Sequence, residues 1–235
     1  MSEEQSIQVN FGRPMALFPL DRALLLPHQF TALNIFEPRY VQMVENALDS
    51  SGQFAVAVFA DKTWKQDYHG RPPLRPAVCI GHIAQRQKTS DGRYELILVG
   101  LCRARIMREL EPSSERLYRS AMLAPVGLDE EVEPKLYGVR ERLRELFSEG
   151  PLSHLAQAER LLQHLRNEDI STGVILELVS FEVPTRPELR YKLLAEGDAG
   201  ERADLLEHEL HELGRMIERA RAQRPEPWPK GMSWN

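Results

Sequence analysis

The chain has 235 residues, 42% hydrophobic and 28% charged, which is enough to bury a real core as one large domain or two small ones. Its formal net charge of −5 and pI near 5.9 oppose broad electrostatic attachment to nucleic acid or to an anionic membrane, and no run approaches the ~20 apolar residues that cross a bilayer. The acidic start, MSEEQSIQVNFGRP, lacks the basic-then-apolar order of a signal peptide, so a cytoplasmic protein without a membrane partner is expected.

The first half reads mostly as strands. MALFPL, RALLLP, FTALNIF, QFAVAVFA, AVCIGHIAQ, RYELILVGLCRARIM and YRSAMLAPV are short runs rich in apolar and β-favouring residues. One helix interrupts them. In LNIFEPRYVQMVENALDSSG, Pro38 suits the first helical position, Glu37 lies at the positive end of the helix dipole as a poor N-cap, and Phe36 and Val41 stand where a hydrophobic staple would close. Tyr40, Met43, Val44, Ala47 and Leu48 then recur at helical spacing, and Gly52 supplies a left-handed stop. The stretch DKTWKQDYHGRPPLRP, residues 61 to 76, is polar and punctuated by proline, which predicts a long exposed loop. Asp91-Gly92 in KTSDGR is a strong hairpin signal, so the strands on either side pair antiparallel. Nearly continuous apolar runs such as Ile97, Leu98 and Val99 imply burial on both faces, as in a small closed or half-closed barrel. Cys79 and Cys102 lie inside such runs without CxxC spacing and read as reduced core thiols.

After about residue 130 the period changes. Leu136, Val139, Leu143, Leu146 and Phe147 follow a 3.6 spacing, as do Leu155, Ala158, Leu162 and Leu165. ISTGVILELVSFEV continues as an apolar helix that Pro184 ends, and RPELRYKLLAEGD is a short helix opened by Pro187. A final helix is expected from about Glu201 to Gln223, with Leu206, Leu210, Leu213, Ile217 and Ala220 in one stripe that packs on its neighbours. The tail RPEPWPKGMSWN is too rich in proline for a helix and is expected to be flexible, with Trp228 and Trp234 as anchors on a partner or on the protein itself.

Chemistry-bearing motifs are missing. No GxxxxGK[ST], GxGxxG or GxSxG occurs, so ATP, dinucleotide and serine-hydrolase chemistry are disfavoured. His208 and His211 in EHELHE are three apart rather than at the HExxH spacing, and a solvated helical face accounts for them. His82 in VCIGHIAQ reads as a satisfied core histidine. Arg103, Arg105 and Arg108 are candidates for a basic stripe, although alternation along a strand simply turns two of them to solvent together. No catalytic, cofactor-binding or metal-binding residue is assigned.

Taken in order, MALFPL, LLLP, LNIFEPRY, FAVAVFA, IGHIAQ, DGRYELILVGLCRARI and a helical second half ending in ELRYKLLAEGDAGERADLLEHEL resemble the amino-terminal, substrate-binding domain of the ATP-dependent Lon protease, over roughly residues 12 to 220. Gly100 to Arg105 is the most specific segment, followed by FPL near the start and the region from Leu193 to Asp198. The resemblance implies an α+β fold: a PUA-like β pseudo-barrel over residues 12–128 with one helix, a C-terminal helical bundle over 129–223, and the tail at 224–235. It implies a non-catalytic, stand-alone module without the ATPase and protease domains, recognising polypeptide segments or a partner protein, with a role as an adaptor in protein quality control. Placing LNIFEPRY at the end of a barrel strand puts Glu37 and Arg39 on a rim and Tyr40 in the core. Phe36, Glu37, Arg39 and Trp64 are the candidate polypeptide-binding residues. Gly100 is expected to let a long strand bend, and Arg103 and Arg105 to lie on one side in a structural or solvated role. RNA binding, which PUA-like barrels can serve, is the alternative, with Arg103, Arg105 and Arg108 on phosphates, although the acidic net charge disfavours nucleic acid. A homo-oligomer is left open.

Overall fold

Among the described residues, the strands β1 (Met15–Leu20), β2 (Phe30–Ile35), β3 (Gln53–Val58), β4 (Ala77–Lys88), β5 (Tyr94–Glu109) and β6 (Arg119–Pro125) form one sheet in the order β2-β5-β4-β3-β1-β6, and β5 reaches back to β6 to close it. This arrangement is seen in a computed structural model that describes residues 7–21, 23–66, 70–128 and 131–223. The helix α1 (Pro38–Leu48) lies between β2 and β3, which lets β1 and β3 run parallel while every other pair is antiparallel.

Closure depends on the length of β5. Its first part pairs with β2 and its last part with β6, so one strand serves two edges. The hairpin that starts it is the expected one: Gly92 has φ 83, and Thr89 donates to the Arg93 carbonyl at 2.9 Å. Register shifts beside Gly81, between Ile83 and Gln85, and between Ile106 and Arg108 curve the ribbon. Gly100 has a further reason to be glycine, because a Cβ there would stand 2.0 Å from the carbonyl oxygen of Leu26.

Burial on both faces follows the strand alternation. Phe54, Val56 and Val58 of β3 join Phe18, Tyr40, Met43 and Val44 in one core, while Ala55 and Ala57 join Leu17, Val78, Ile80 and Ala121 in the barrel interior. Small residues fit the interior, where five strands converge. Cys79 and Cys102 are free thiols in these layers, and burial pushes the Cys102 thiol up to about 11 and that of Cys79 higher still.

The helical half comprises α2 (Val132–Lys135), α3 (Val139–Ser148), α4 (Ala158–Arg166), α5 (Thr172–Glu182), α6 (Pro187–Ala195) and α7 (Ala199–Ala222). Leu143, Phe147, Leu161, Ile175, Val179, Leu206 and Leu210 form its core. The expected stripe of α7 fades beyond Leu210, since Leu213 and Ile217 are half-buried and Ala220 is exposed. Asp198 caps α7 by accepting from the Glu201 amide at 3.0 Å.

Four expectations need correction. RALLLP is not a strand over its described residues: Leu25 and Leu26 are buried, but their backbone is irregular and leads into a turn at Pro27 and His28, across which the Leu26 amide donates to Gln29 Oε1 at 2.9 Å. The proline-rich stretch after β3 is not simply an exposed loop, because Lys62–Lys65 form a 3-10 turn, Leu74 bridges to Phe59, and Pro72 is buried. Phe36 is 62% exposed, leaving little of its ring to staple α1. His82 is half-buried rather than a satisfied core residue, since its Nδ1 packs toward Gly52 and has no hydrogen-bond partner among the described residues. The expected tail at 224–235, with Trp228 and Trp234, lies outside the described residues.

Candidate functional site

The strand-to-helix switch at residues 35–40 forms one lip of a concavity on the barrel rim. Ile35 ends β2 buried, Glu37 takes an extended conformation at φ −72 and ψ 132, and Pro38 starts α1. Tyr40 is 6% exposed, meets the Phe18 ring edge-on at 4.8 Å and carries the Arg39 guanidinium 4.6 Å from its ring centroid. Arg39 also pairs with Glu37, Nη2 to Oε2 at 3.0 Å, so the two charges of the lip largely cancel.

Two clefts adjoin across Pro19, Tyr40 and Phe59. The first, of about 290 Å³, is walled by Leu20, Asp21, Leu33, Phe36, Glu37 and Trp64. Trp64 stands on the 3-10 turn after β3, with its indole stacked on Phe59 at 5.2 Å and an interplanar angle of 10°. The second cleft, of about 210 Å³, includes Arg39, Arg71, Leu117, Tyr118 and Arg119, and Leu117 is 59% exposed. Beside it Arg119 grips both oxygens of Glu109 at 2.6 and 2.8 Å, and Arg71 adds a bond at 3.1 Å. Burial alone would raise the Glu109 pKa, but the two guanidiniums outweigh it and hold the carboxyl below the usual range. Arg119 also donates to the Pro72 carbonyl at 2.6 Å, which fastens the wall of the cleft to the barrel. The Nε of Arg116, another lining residue, is buried without a hydrogen-bond partner among the described residues.

Of the residues singled out from the sequence, Phe36, Glu37 and Trp64 share the first cleft and Arg39 lines the second. Sequence reasoning missed Phe59, Leu117 and Arg119. Phe59 follows β3 directly, and nothing local says that it stacks on Trp64. Arg119 looks like an ordinary outward strand residue until Glu109 is seen across the β5–β6 pair.

The basic stripe does not exist as expected. Arg105 and Arg108 are exposed, but Arg103 is 6% exposed and points between barrel and helices. There it binds Glu177 in a fork, Nη1 to Oε1 at 2.9 Å and Nη2 to Oε2 at 2.6 Å, and donates from Nε to the Leu193 carbonyl at 3.2 Å. Arg202 approaches the same carboxylate at 3.4 Å. Arg103 is therefore withdrawn as a phosphate contact. His208 and His211 are exposed on α7, and among the described residues no group of three or more potential ligands could hold a metal ion. No described helix is long and apolar enough to cross a membrane.

Residues 14–212, from just before β1 into α7, match the family model of the ATP-dependent protease La (LON) substrate-binding domain. The chain belongs to the Lon substrate-binding domain family. That family is the non-catalytic, substrate-binding part of Lon. Among solved structures, the N-terminal domain of the Mycobacterium avium complex Lon protease is similar over 85% of this chain and 98% of its own, at 15% identity and a TM-score of 0.62. The Lon N-terminal domain protein from Xanthomonas campestris is similar over 91% of this chain and 99% of its own, at 20% identity and a TM-score of 0.56. At such identities the two structures speak for the fold, an α+β architecture with a helix-rich C-terminal region shared with Lon N-terminal domains. No curated protein matches the sequence.

Proposed function

We propose that this Lon-type domain binds exposed polypeptide segments at the paired clefts, acting in the cytoplasm as an adaptor in protein quality control, with Phe36, Glu37, Arg39 and Trp64 as contacts. The observation that carries the reading is the meeting of exposed apolar surface with fixed polar groups at one rim. Phe36 and Leu117 present apolar surface in adjoining clefts, while Arg116 Nε and the Arg39–Glu37 pair lie beside them. Apolar walls take the side chains of an unfolded segment, and a few placed donors take its carbonyls. The alternative of RNA binding is weakened by the burial of Arg103, which leaves two exposed arginines of three on that face.

The test is fluorescence anisotropy with a labelled, reduced and carboxymethylated protein that stays unfolded. Trp64→Ala and Phe36→Ala should each weaken binding about tenfold, a loss typical of truncating an aromatic anchor, with the circular dichroism spectrum unchanged. Binding that neither change alters would place the polypeptide site elsewhere. Stronger binding to a single-stranded RNA, falling steeply with salt, would overturn the reading in favour of nucleic acid.

A further inference from the structure

β2 stands at the end of the strand order and is hydrogen-bonded on one side only, to β5. Its alternation can be read from the bond at its start. The Gly100 amide donates to the Gln29 carbonyl at 2.9 Å, so Gln29, and by the two-residue repeat Thr31, Leu33 and Ile35, direct their main-chain groups to β5. Phe30, Ala32 and Asn34 therefore present N–H and C=O to the open edge. These three residues are exposed, and among the described residues no strand pairs with β2 on that side. An open edge of this kind is a template for one more strand.

The first cleft lies against that edge. It touches the consecutive residues Ala32 to Glu37 and no residue of β5, and its far wall is made by Leu20, Asp21, Phe59 and Trp64. A volume of about 290 Å³ beside the edge admits the side chains of a single extended segment. Asp21 lines the cleft at the end of β1, whereas the charge of Glu37 is taken up by Arg39, so Asp21 favours a segment that carries a positive charge.

We infer that an extended, lysine-bearing segment of an unfolded polypeptide adds to β2 as an extra edge strand, pairing its backbone with Phe30, Ala32 and Asn34 and lodging an apolar side chain in the cleft beside Phe36 and Trp64. The inference rests on the polypeptide-binding reading above and deepens it, because main-chain pairing accepts many sequences while the cleft selects for apolar side chains at alternate positions.

The test uses a labelled ten-residue peptide of alternating leucine and serine with a lysine at each end, followed by fluorescence anisotropy. Ala32→Pro removes an amide that faces the open edge and leaves the β5 ladder intact, so the protein should melt as before yet bind the peptide at least tenfold more weakly. On the unaltered protein, two versions of the peptide N-methylated at alternate residues in opposite registers should differ at least tenfold, since only one set of amides faces β2. Equal binding of both methylated peptides, with Ala32→Pro unaffected and Phe36→Ala weakened, would overturn strand addition while leaving polypeptide binding in place. No binding by the unaltered protein would overturn both. A homodimer that Ala32→Pro dissolves in sedimentation, without peptide binding, would overturn the inference by giving the edge to a second copy.

Discussion

Gly100 and Arg103 lie three residues apart on β5 and secure opposite sides of the barrel. At Gly100 the chain approaches the Leu26 carbonyl so closely that a methyl group would collide with backbone, which cannot swing aside as a side chain would. Gly100→Ala should lower stability by about 3 kcal/mol, read from the urea midpoint. Arg103 faces the helices, and its fork with Glu177 is buried at 6% and 5% exposure, where an unpaired charge is costly. Glu177→Ala should cost about 3–5 kcal/mol, because two guanidiniums then lose their carboxylate. The Arg142–Glu207 pair, whose guanidinium is 48% exposed and whose carboxylate is half-buried, gives the contrast, as Glu207→Ala should cost only about 1 kcal/mol in the same titration. A large effect at Glu207 with none at Glu177 would refute this ordering. The motif from Gly100 to Arg105 was legible as a string, but its two structural purposes were not, since both partners are distant in sequence.

At the scale of elements, α6 joins the two halves. Leu189 and Leu193 enter the helical core while Tyr191 and Leu194 enter the core beneath the sheet, so the helix is apolar on two sides and shows no single stripe. The Ala77 amide at the start of β4 donates to the Tyr191 hydroxyl at 2.8 Å, and the Arg75 guanidinium stacks 3.4 Å from the Tyr191 ring centroid. Burial raises the Tyr191 pKa, in keeping with a phenol held neutral at the junction. Tyr191→Phe leaves that amide without its acceptor, and a loss of about 1–3 kcal/mol with faster hydrogen exchange at Ala77 is expected. Unchanged exchange there would show that the hydroxyl does not join α6 to β4. The strands flanking Gly92 and the helices opened by Pro38 and Pro187 were readable because turn and cap chemistry is local. RALLLP was misread because an apolar run signals burial but does not say which groups will satisfy its backbone.

For the whole molecule, the rim depends on ionised carboxylates. The folded protein holds the Glu109 carboxyl below its ordinary range through Arg119 and Arg71, against the opposing effect of burial. A carboxyl depressed in the fold stabilises it fully above the unfolded pKa of about 4.3, and that contribution disappears as pH falls through the lower folded value. Melting temperature should therefore drop on acidification below about pH 4, and Glu109→Gln should give a shallower acid limb. Parallel acid limbs for the two proteins would show that the clamp on the second cleft does not contribute. The amino-acid order alone was enough for the strands other than RALLLP, the change to helices in the second half, the central hairpin, the strand-to-helix switch at Pro38 and the family resemblance, because period, turn residues and caps act over a few positions. Only the tertiary structure decided that Phe36 meets Trp64 across a cleft, that Arg103 is buried on Glu177 while Arg105 is exposed, and that β2 keeps an open edge. Those outcomes follow from barrel closure and helix docking, which bring together residues whose local sequence carries no record of one another.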